Sequence, residues 1–561
     1  MMKHIRQIFF SFCVCLVLPN TVFAQFSMNG KTPVYDKTTN TYLVSIPQDC
    51  FGKDYTANIT LCNDSAWSQL CIEGQTAADN TFTFQNVEAN KKYSVSAVKG
   101  GSTISANITF TYLPLLHLAG DFGYSFSQGY MTLCEPEATS SADTIYIKAK
   151  WRGGSTNSDD RHKRNYKINT LTAEGKSKDY SFLGMRKDNN WILDAGQVDM
   201  FRLRNRTATE LWNDFATKPY YSSSEPKAQS GVNGKVIEVI LNNEYRGIYS
   251  LTEAMDRKEL KLKKHDDTNN IFHGQLWKAS GYGNATFWNN PGEYDNTQEN
   301  WDVFETKYPE IDDVCPTDYS VLWQAVNFVV NSDDNTFCSE VADYFDLPVL
   351  VDYFIFLKAV NAIDNIGKNM YWAVYDKATD KKLTPAIWDL DATIGQNYVD
   401  EPLHPDMVAP TYNLPVVNGC NIYYRLYTLN ANSFRQTVAD RYQELRKNYL
   451  SLESLQNRYQ EYYDLLAGCG ATEREENKWS KDTDIAGLNL NFKEEIEYIR
   501  LWLAQHLDYL DGEMQDIANG ITSVNIDKKD NNCMYNVMGQ KVSTTFGNGV
   551  YILNGKKFIK R

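Results

Sequence analysis

Between Leu347 and Val360 the apolar positions Leu347, Leu350, Val351, Phe354, Leu357 and Val360 recur at helical spacing. The pattern predicts a helix buried along one face. Asp346 stands where a capping side chain belongs, and Pro348 falls in the first turn, where a missing N–H costs little. The helix is expected to end near Asn361, which leaves Asp364 and Asn369 in the following loop. Met370 to Tyr375 reads as a strand, Asp376 to Asp380 as a turn, and Leu383 to Trp388 as a second strand. That second strand delivers Asp389 and Asp391 at its end.

The remaining pattern divides the chain into four parts: residues 1–24, 25–115, 116–518 and 519–561. Residues 25–115 alternate or are β-branched over 41–46, 56–61, 81–84, 93–98 and 104–112, with Asn, Gly and Asp between, and predict a small all-β sandwich. From Ile145 a strand runs into Arg152-Gly-Gly-Ser155, and Lys163-Arg-Asn-Tyr-Lys167 starts the return strand. A helix is expected over 200–215. Val236 to Glu253 reads as a hairpin turning at Asn242-Asn243, with Glu253 closing its second strand. Residues 266–300 lack periodicity and are expected to form a long loop. Helices are predicted over 317–330, 433–450, 452–467 and 491–518, with Tyr459, Tyr462, Tyr463, Ile496, Ile499, Leu503 and Leu507 as core positions. The tail from Ile521 holds short β pieces with Asn-Gly turns. The overall class is α+β.

Composition narrows the function. A chain of 561 residues exceeds one compact core. Its net charge of -14 argues against non-specific nucleic-acid binding, which needs a basic face, and is compatible with a site that requires a metal. Residues 1–24 read as a secretory signal peptide: Lys3 and Arg6, an apolar run over 8–18 too short to span a bilayer, and Ala24 at the expected cleavage point. No later stretch is long and apolar enough for a transmembrane segment, so the mature chain is expected to be secreted or held at the cell surface. Of eleven cysteines, two lie in this leader. None forms a CxxC pair, and export allows disulfides, with Cys62–Cys71 or Cys315–Cys338 plausible by proximity.

The helix, the loop with Asp364 five positions before Asn369, the two strands and the acidic Asp389-Leu-Asp391 follow the order of a protein-kinase catalytic centre. In that order the first Asp orients a hydroxyl nucleophile, and the Asn and the later Asp hold magnesium on nucleotide phosphates. The glycine-bearing turn at Arg152 to Ser155, with Lys163 and Lys167 returning, can cover phosphates. Each feature has a plainer reading as well. Loop Asp and Asn make turns and caps, a glycine turn can be an ordinary hairpin, and D-x-D also occurs in metal-dependent glycosyl transfer.

Six ordered motifs give the chain a resemblance to the CotH kinase family, named for spore-coat proteins, over about residues 116–515. They are Arg152-Gly-Gly-Ser155 with Lys163-Arg-Asn-Tyr166; Trp191-Ile-Leu with Asp199 and Arg204-Asn205; Asn242 with Tyr245-Arg-Gly-Ile-Tyr and Leu251-Thr-Glu253; Asn361 with Asp364, Lys368-Asn369 and Tyr371; Trp388-Asp-Leu-Asp391 with Gly395; and Tyr424-Arg-Leu426 with Phe434 and Arg441. The resemblance implies an atypical kinase fold that uses ATP and Mg2+ (or Mn2+) to phosphorylate Ser or Thr of a protein substrate. By the same resemblance Asp364 is the catalytic Asp, and Asn369, Asp389 and Asp391 are the metal-holding residues, Asp389 ahead of Asp391. Arg152, Ser155 and either Lys163 or Lys167 face the nucleotide, and Glu253 is the partner of the phosphate-gripping Lys. The sequence departs from the family at Gly154, where Asn is usual, and at Lys163-Arg164, where a Lys pair is usual. An Arg does not reproduce the geometry of a Lys on phosphate. A kinase-like binding or structural protein is therefore the alternative. The tail, with Tyr535-Asn-x-x-Gly-Gln-Lys-Val and Gly549-Val-Tyr-Ile, resembles a type IX secretion sorting signal of the Bacteroidetes, which implies outer-membrane secretion machinery as a partner.

Overall fold

The computed structural model describes residues 26–518 apart from 62–66, 77–79, 158–160, 311–315, 397–413 and 481–489, together with four short tail strands within 534–560. The expected signal peptide, and the Cys62 and Cys315 halves of the two suggested disulfides, lie outside the described residues.

Alternating apolar residues build the N-terminal part from two sheets. One has three strands, Phe26–Met28, Tyr55–Leu61 and Thr81–Phe84, and the other six, with Thr41–Ser45, Tyr93–Lys99 and Ser102–Thr111 at its centre. Phe26, Ile59 and Phe84 from the first meet Val44, Val95 and Phe110 from the second in one core, as facing sheets do.

Next comes a closed seven-stranded barrel. Its strands are Leu115–Gly120, Ser127–Cys134, Ile145–Arg152, Asn165–Leu171, Asn190–Asp194, Gly234–Leu241 and Glu244–Glu253. The first strand closes the barrel by pairing parallel with Gly234–Leu241. Ile147, Ala149, Tyr166, Ile168, Leu193, Val239 and Leu251 point inward and fill it, while Lys148, Lys150 and Arg152 alternate outward. The hairpin turns at Asn242 and Asn243, both at positive φ (51° and 61°), as a two-residue turn requires.

The expected loop over 266–300 is not wholly irregular. Gln275–Ala279 is a strand and sits at the centre of a five-stranded antiparallel sheet, between Phe304–Tyr308 and Met370–Val374, with Thr384–Ile387 at one edge. Leu276, Trp277 and Ala279 are fully buried there. Five residues among Asn, Gly and Asp are too few to show a period, so only the pairing partners make the strand.

Leu347–Val360 is a helix, with Asn361 left-handed at its end (φ 50°). It is buried all round from Val349 to Val360 rather than on one face. The sheet covers one side, and helices Phe434–Arg446 and Phe492–Ala518 cover another. Each large apolar side chain buried so fully contributes about 1.5–3 kcal/mol. Asp346 makes no capping hydrogen bond. Its carboxylate accepts from the Tyr220 amide at 2.8 Å. Helices Asn421–Thr428 and Ala471–Trp479 stand beside those expected toward the C-terminus. No described helix is long and apolar enough to cross a membrane.

Candidate active site

The loop after Leu347–Val360 is tied down by one side chain. Asn365 is fully buried, and its amide donates to the carbonyls of Asn369 (3.1 Å) and Trp388 (2.7 Å). The Asn369 amide donates to Ala279 O at 3.0 Å. Gly367, at φ 77°, lets the loop pass Ala285 where a Cβ would stand 2.7 Å from its carbonyl oxygen. These ties fold the loop back so that Asn369 Nδ2 donates to Asp364 Oδ2 at 2.9 Å. Lys368 Nζ bridges both Asp364 oxygens at 2.7 and 2.9 Å. The Tyr282 hydroxyl donates to Asp364 Oδ1 at 2.9 Å.

Asp389 stands just past Thr384–Ile387. Both it and Asn369 have left-handed backbones (φ 59° and 51°), which non-glycine residues adopt sparingly and often at functional sites. Burial pushes the Asp389 carboxyl up, and the neighbouring carboxylates of Asp194 and Asp364 push it further; Arg152 and Lys278 pull it back. Asp389 therefore marks the meeting point of three carboxylates and two cations. Asp391, two residues on, is half-buried.

Asp194 is a residue that sequence reasoning missed. It ends the Asn190–Asp194 strand, and its Oδ2 accepts from Asn205 Nδ2 at 2.7 Å. Asn205 Oδ1 in turn accepts the Leu390 amide at 3.1 Å, so a single amide side chain couples the barrel's strand end to the Asp389 turn. The Ala195 amide donates to Asn165 Oδ1 at 2.6 Å, fixing the same corner. Lys278 was missed with its strand. Its ammonium is pushed down by burial and supported by Asp389. Asp194 had a signal in the sequence, a lone acid closing the apolar Trp191-Ile-Leu run. Lys278 had none.

The expected nucleotide-facing residues separate into two places. Arg152 reaches the acidic centre, its guanidinium 5.2 Å from the centre of the Trp388 ring. Ser155 opens the short turn Ser155–Asn157 after the glycines. Lys167 lies on the outward barrel face, opposite Lys150 in register. Burial lowers its pKa, and Lys150, Lys307 and Arg152 lower it further, against Glu310. Lys163 points inward instead. Its Nζ donates to Glu475 Oε1 (2.7 Å) and Ile248 O (2.6 Å), with Arg202 on the same carboxylate. Burial pushes its ammonium down to about 7 against the pull of Glu475. Glu253 is buried and accepts from the Arg186 amide (2.7 Å) and Asn233 Nδ2 (2.9 Å). It lines a cleft of about 540 Å3 with Arg186, Arg206 and Glu259. The two side chains are thus engaged with different partners, Lys163 with Glu475 and Glu253 with Asn233 and Arg186.

Among the described residues no three His, Cys, Asp or Glu side chains form a closed metal cage. Magnesium does not use one: it binds through one or two carboxylates, waters and substrate phosphates. The crowding of Asp194 and Asp364 on Asp389 is the electrostatic condition that a divalent cation relieves, and the oxygen donors of Asn369 and Asp389 suit a hard ion. The residues present fit the group.

No curated protein matches the chain. A family model described as CotH kinase protein matches residues 149–510, a span that takes in the barrel's glycine turn, the five-stranded sheet, the acidic centre and the C-terminal helices. The match covers well over half of the chain, and the protein belongs to the CotH kinase family.

Proposed function

We propose that this protein is a secreted or surface-held kinase that transfers the γ-phosphoryl group of ATP to Ser or Thr hydroxyls of a protein. The observation that carries the reading is the convergence of Asp364, Asn369 and Asp389, with Asn369 bonded to Asp364 at 2.9 Å, the Asn365 amide tying the carbonyls of Asn369 (3.1 Å) and Asp389 (3.4 Å) together, and Asp389 raised by burial first and then by Asp194 and Asp364. Asp364 orients the acceptor hydroxyl and takes its proton. Asn369 and Asp389 would hold the divalent ion, with Asp194 adding charge behind them; bound there, the ion neutralises phosphate oxygens. Arg152 and Lys278 supply the fixed positive charge on the phosphate side. This assigns to them the task expected of Lys163 or Lys167. Export rests on the leader at 1–24, and the tail is proposed as the address for outer-membrane secretion.

One observation favours a second reading, a kinase-like binding scaffold. The Lys–Glu pair that grips phosphates in protein kinases has no counterpart between Lys163 and Glu253, whose partners are Glu475 and Asn233. Equilibrium binding of ATP with and without magnesium, beside transfer to dephosphorylated casein, separates the two. Binding with transfer supports the kinase, and binding without transfer supports the scaffold.

A further inference from the structure

Tyr282 follows the strand Gln275–Ala279 and is 46% exposed. Its hydroxyl nevertheless turns inward and donates to Asp364 Oδ1 at 2.9 Å. In a kinase centre that is the hydrogen bond an acceptor hydroxyl makes with the catalytic Asp. Two further features hold the ring in place. Lys368 Nζ lies 5.3 Å from the ring centre while bridging both Asp364 oxygens. The Ala279 carbonyl, three residues back, receives the Asn369 amide at 3.0 Å. The segment that places Lys278 toward Asp389 therefore also places Tyr282 on Asp364.

We infer that Tyr282 is an acceptor in cis: the protein phosphorylates its own Tyr282 hydroxyl. This rests on the kinase reading above. In the step, the Tyr282 oxygen forms the new bond to the γ-phosphorus. The bond from that phosphorus to the β–γ bridging oxygen breaks, and ADP leaves with its electron pair. The hydroxyl proton passes to Asp364, which releases it to water and returns to its charged form. The product carries about two negative charges at neutral pH. Beside Asp364 that charge is repelled, and Lys368 offers it a cation, so the ring leaves Asp364. The phosphorylated enzyme presents an open base to an external hydroxyl, which makes the self-reaction an opening step for acceptor phosphorylation.

The test uses the full mature chain, stripped of phosphate by alkaline phosphatase and then repurified. It is incubated with ATP and magnesium, with and without dephosphorylated casein, and the sites are read by peptide mass spectrometry. The expected result is phosphate on Tyr282, incorporated per chain at a rate independent of protein concentration and absent in Asp389→Asn. Self-label should fall about tenfold or more in Tyr282→Phe and persist in Tyr146→Phe, which alters another exposed tyrosine. Casein labelling without phosphate on Tyr282 would overturn the inference and leave the kinase reading standing. Self-label that rises with protein concentration would overturn the cis step. No transfer to either acceptor would sink both readings together.

Discussion

Arg204 opens the helix Arg204–Phe215 and is fully buried. Its Nη1 donates to Asp199 Oδ1 (2.7 Å), its Nη2 to Glu495 Oε1 (2.5 Å), and its Nε and Nη2 to the Ile394 carbonyl (3.3 and 3.2 Å). One guanidinium thus joins the strand-to-helix corner, the last long helix and the turn five residues beyond Asp389. Arg204→Met removes the cation and keeps the bulk. Both carboxylates are at most 1% exposed, so the cost is that of leaving charge buried and unpaired. Breaking such a pair costs about 3–5 kcal/mol, and we expect about 4 kcal/mol here. Adding Glu495→Gln should return about 1–2 kcal/mol by removing one of the stranded charges. The pH dependence follows in sign. Burial already raises Asp199 while Arg204 lowers it; without Arg204 it rises further. A carboxyl raised in the folded state adds stability at low pH that is lost as pH rises through its folded pKa. The deficit of Arg204→Met should therefore shrink as pH falls through the raised pKa of Asp199. Urea unfolding followed by near-UV circular dichroism measures all three quantities. A loss under about 1 kcal/mol, or no recovery with Glu495→Gln, would refute the reasoning.

Further outcomes are expected elsewhere. Glu259, in contact with Arg186 at 2.8 Å, is pushed up to about 8 by burial first and then by Glu253, against Arg186. Its folded pKa lies above the unfolded 4.5, so the contribution is complete below about 4.5 and lost as pH rises through about 8, roughly 3–5 kcal/mol in all; Glu259→Gln should flatten the stability curve over that window. Gly154 has nothing within 4 Å of an added Cβ, whereas Gly153 sits at φ 123° with Thr156 Oγ1 in the way. Gly154→Asn should change stability by less than about 0.5 kcal/mol and Gly153→Ala should cost about 1–3 kcal/mol, as thermal unfolding of the two will tell. Asp194→Asn should weaken magnesium dependence of ATP binding by about tenfold, and an unchanged magnesium titration would remove Asp194 from the site.

Much of the candidate site was legible because it is local. Helix, loop, two strands and the acidic turn lie within residues 346–391, and short-range hydrophobic pattern and turn chemistry suffice for them. The hairpin at Asn242-Asn243 was legible for the same reason. What pattern could not reveal depends on contacts distant in sequence. Lys278 became a neighbour of Asp389 only because Gln275–Ala279 pairs with Met370–Val374. Asp194 joined through Asn205, and Lys163 was turned inward by Glu475, 312 residues away. The barrel closes by a parallel pairing of Leu115–Gly120 with Gly234–Leu241, which no local window contains. The full burial of Leu347–Val360 likewise came from helices some 90 and 150 positions later, so the pattern predicted burial along one face only, when Asp352 in fact takes Arg441 at 2.8 Å.

The central claim is tested most directly by transfer of labelled phosphate from ATP to dephosphorylated casein by the purified mature chain with magnesium, beside Asp364→Asn and Asp389→Asn. The account predicts label in the wild type and its loss in both variants, with Asp364→Asn still binding ATP and magnesium and Asp389→Asn impaired in doing so. Label that survives in either variant, or a wild-type chain that does not bind ATP, would contradict it.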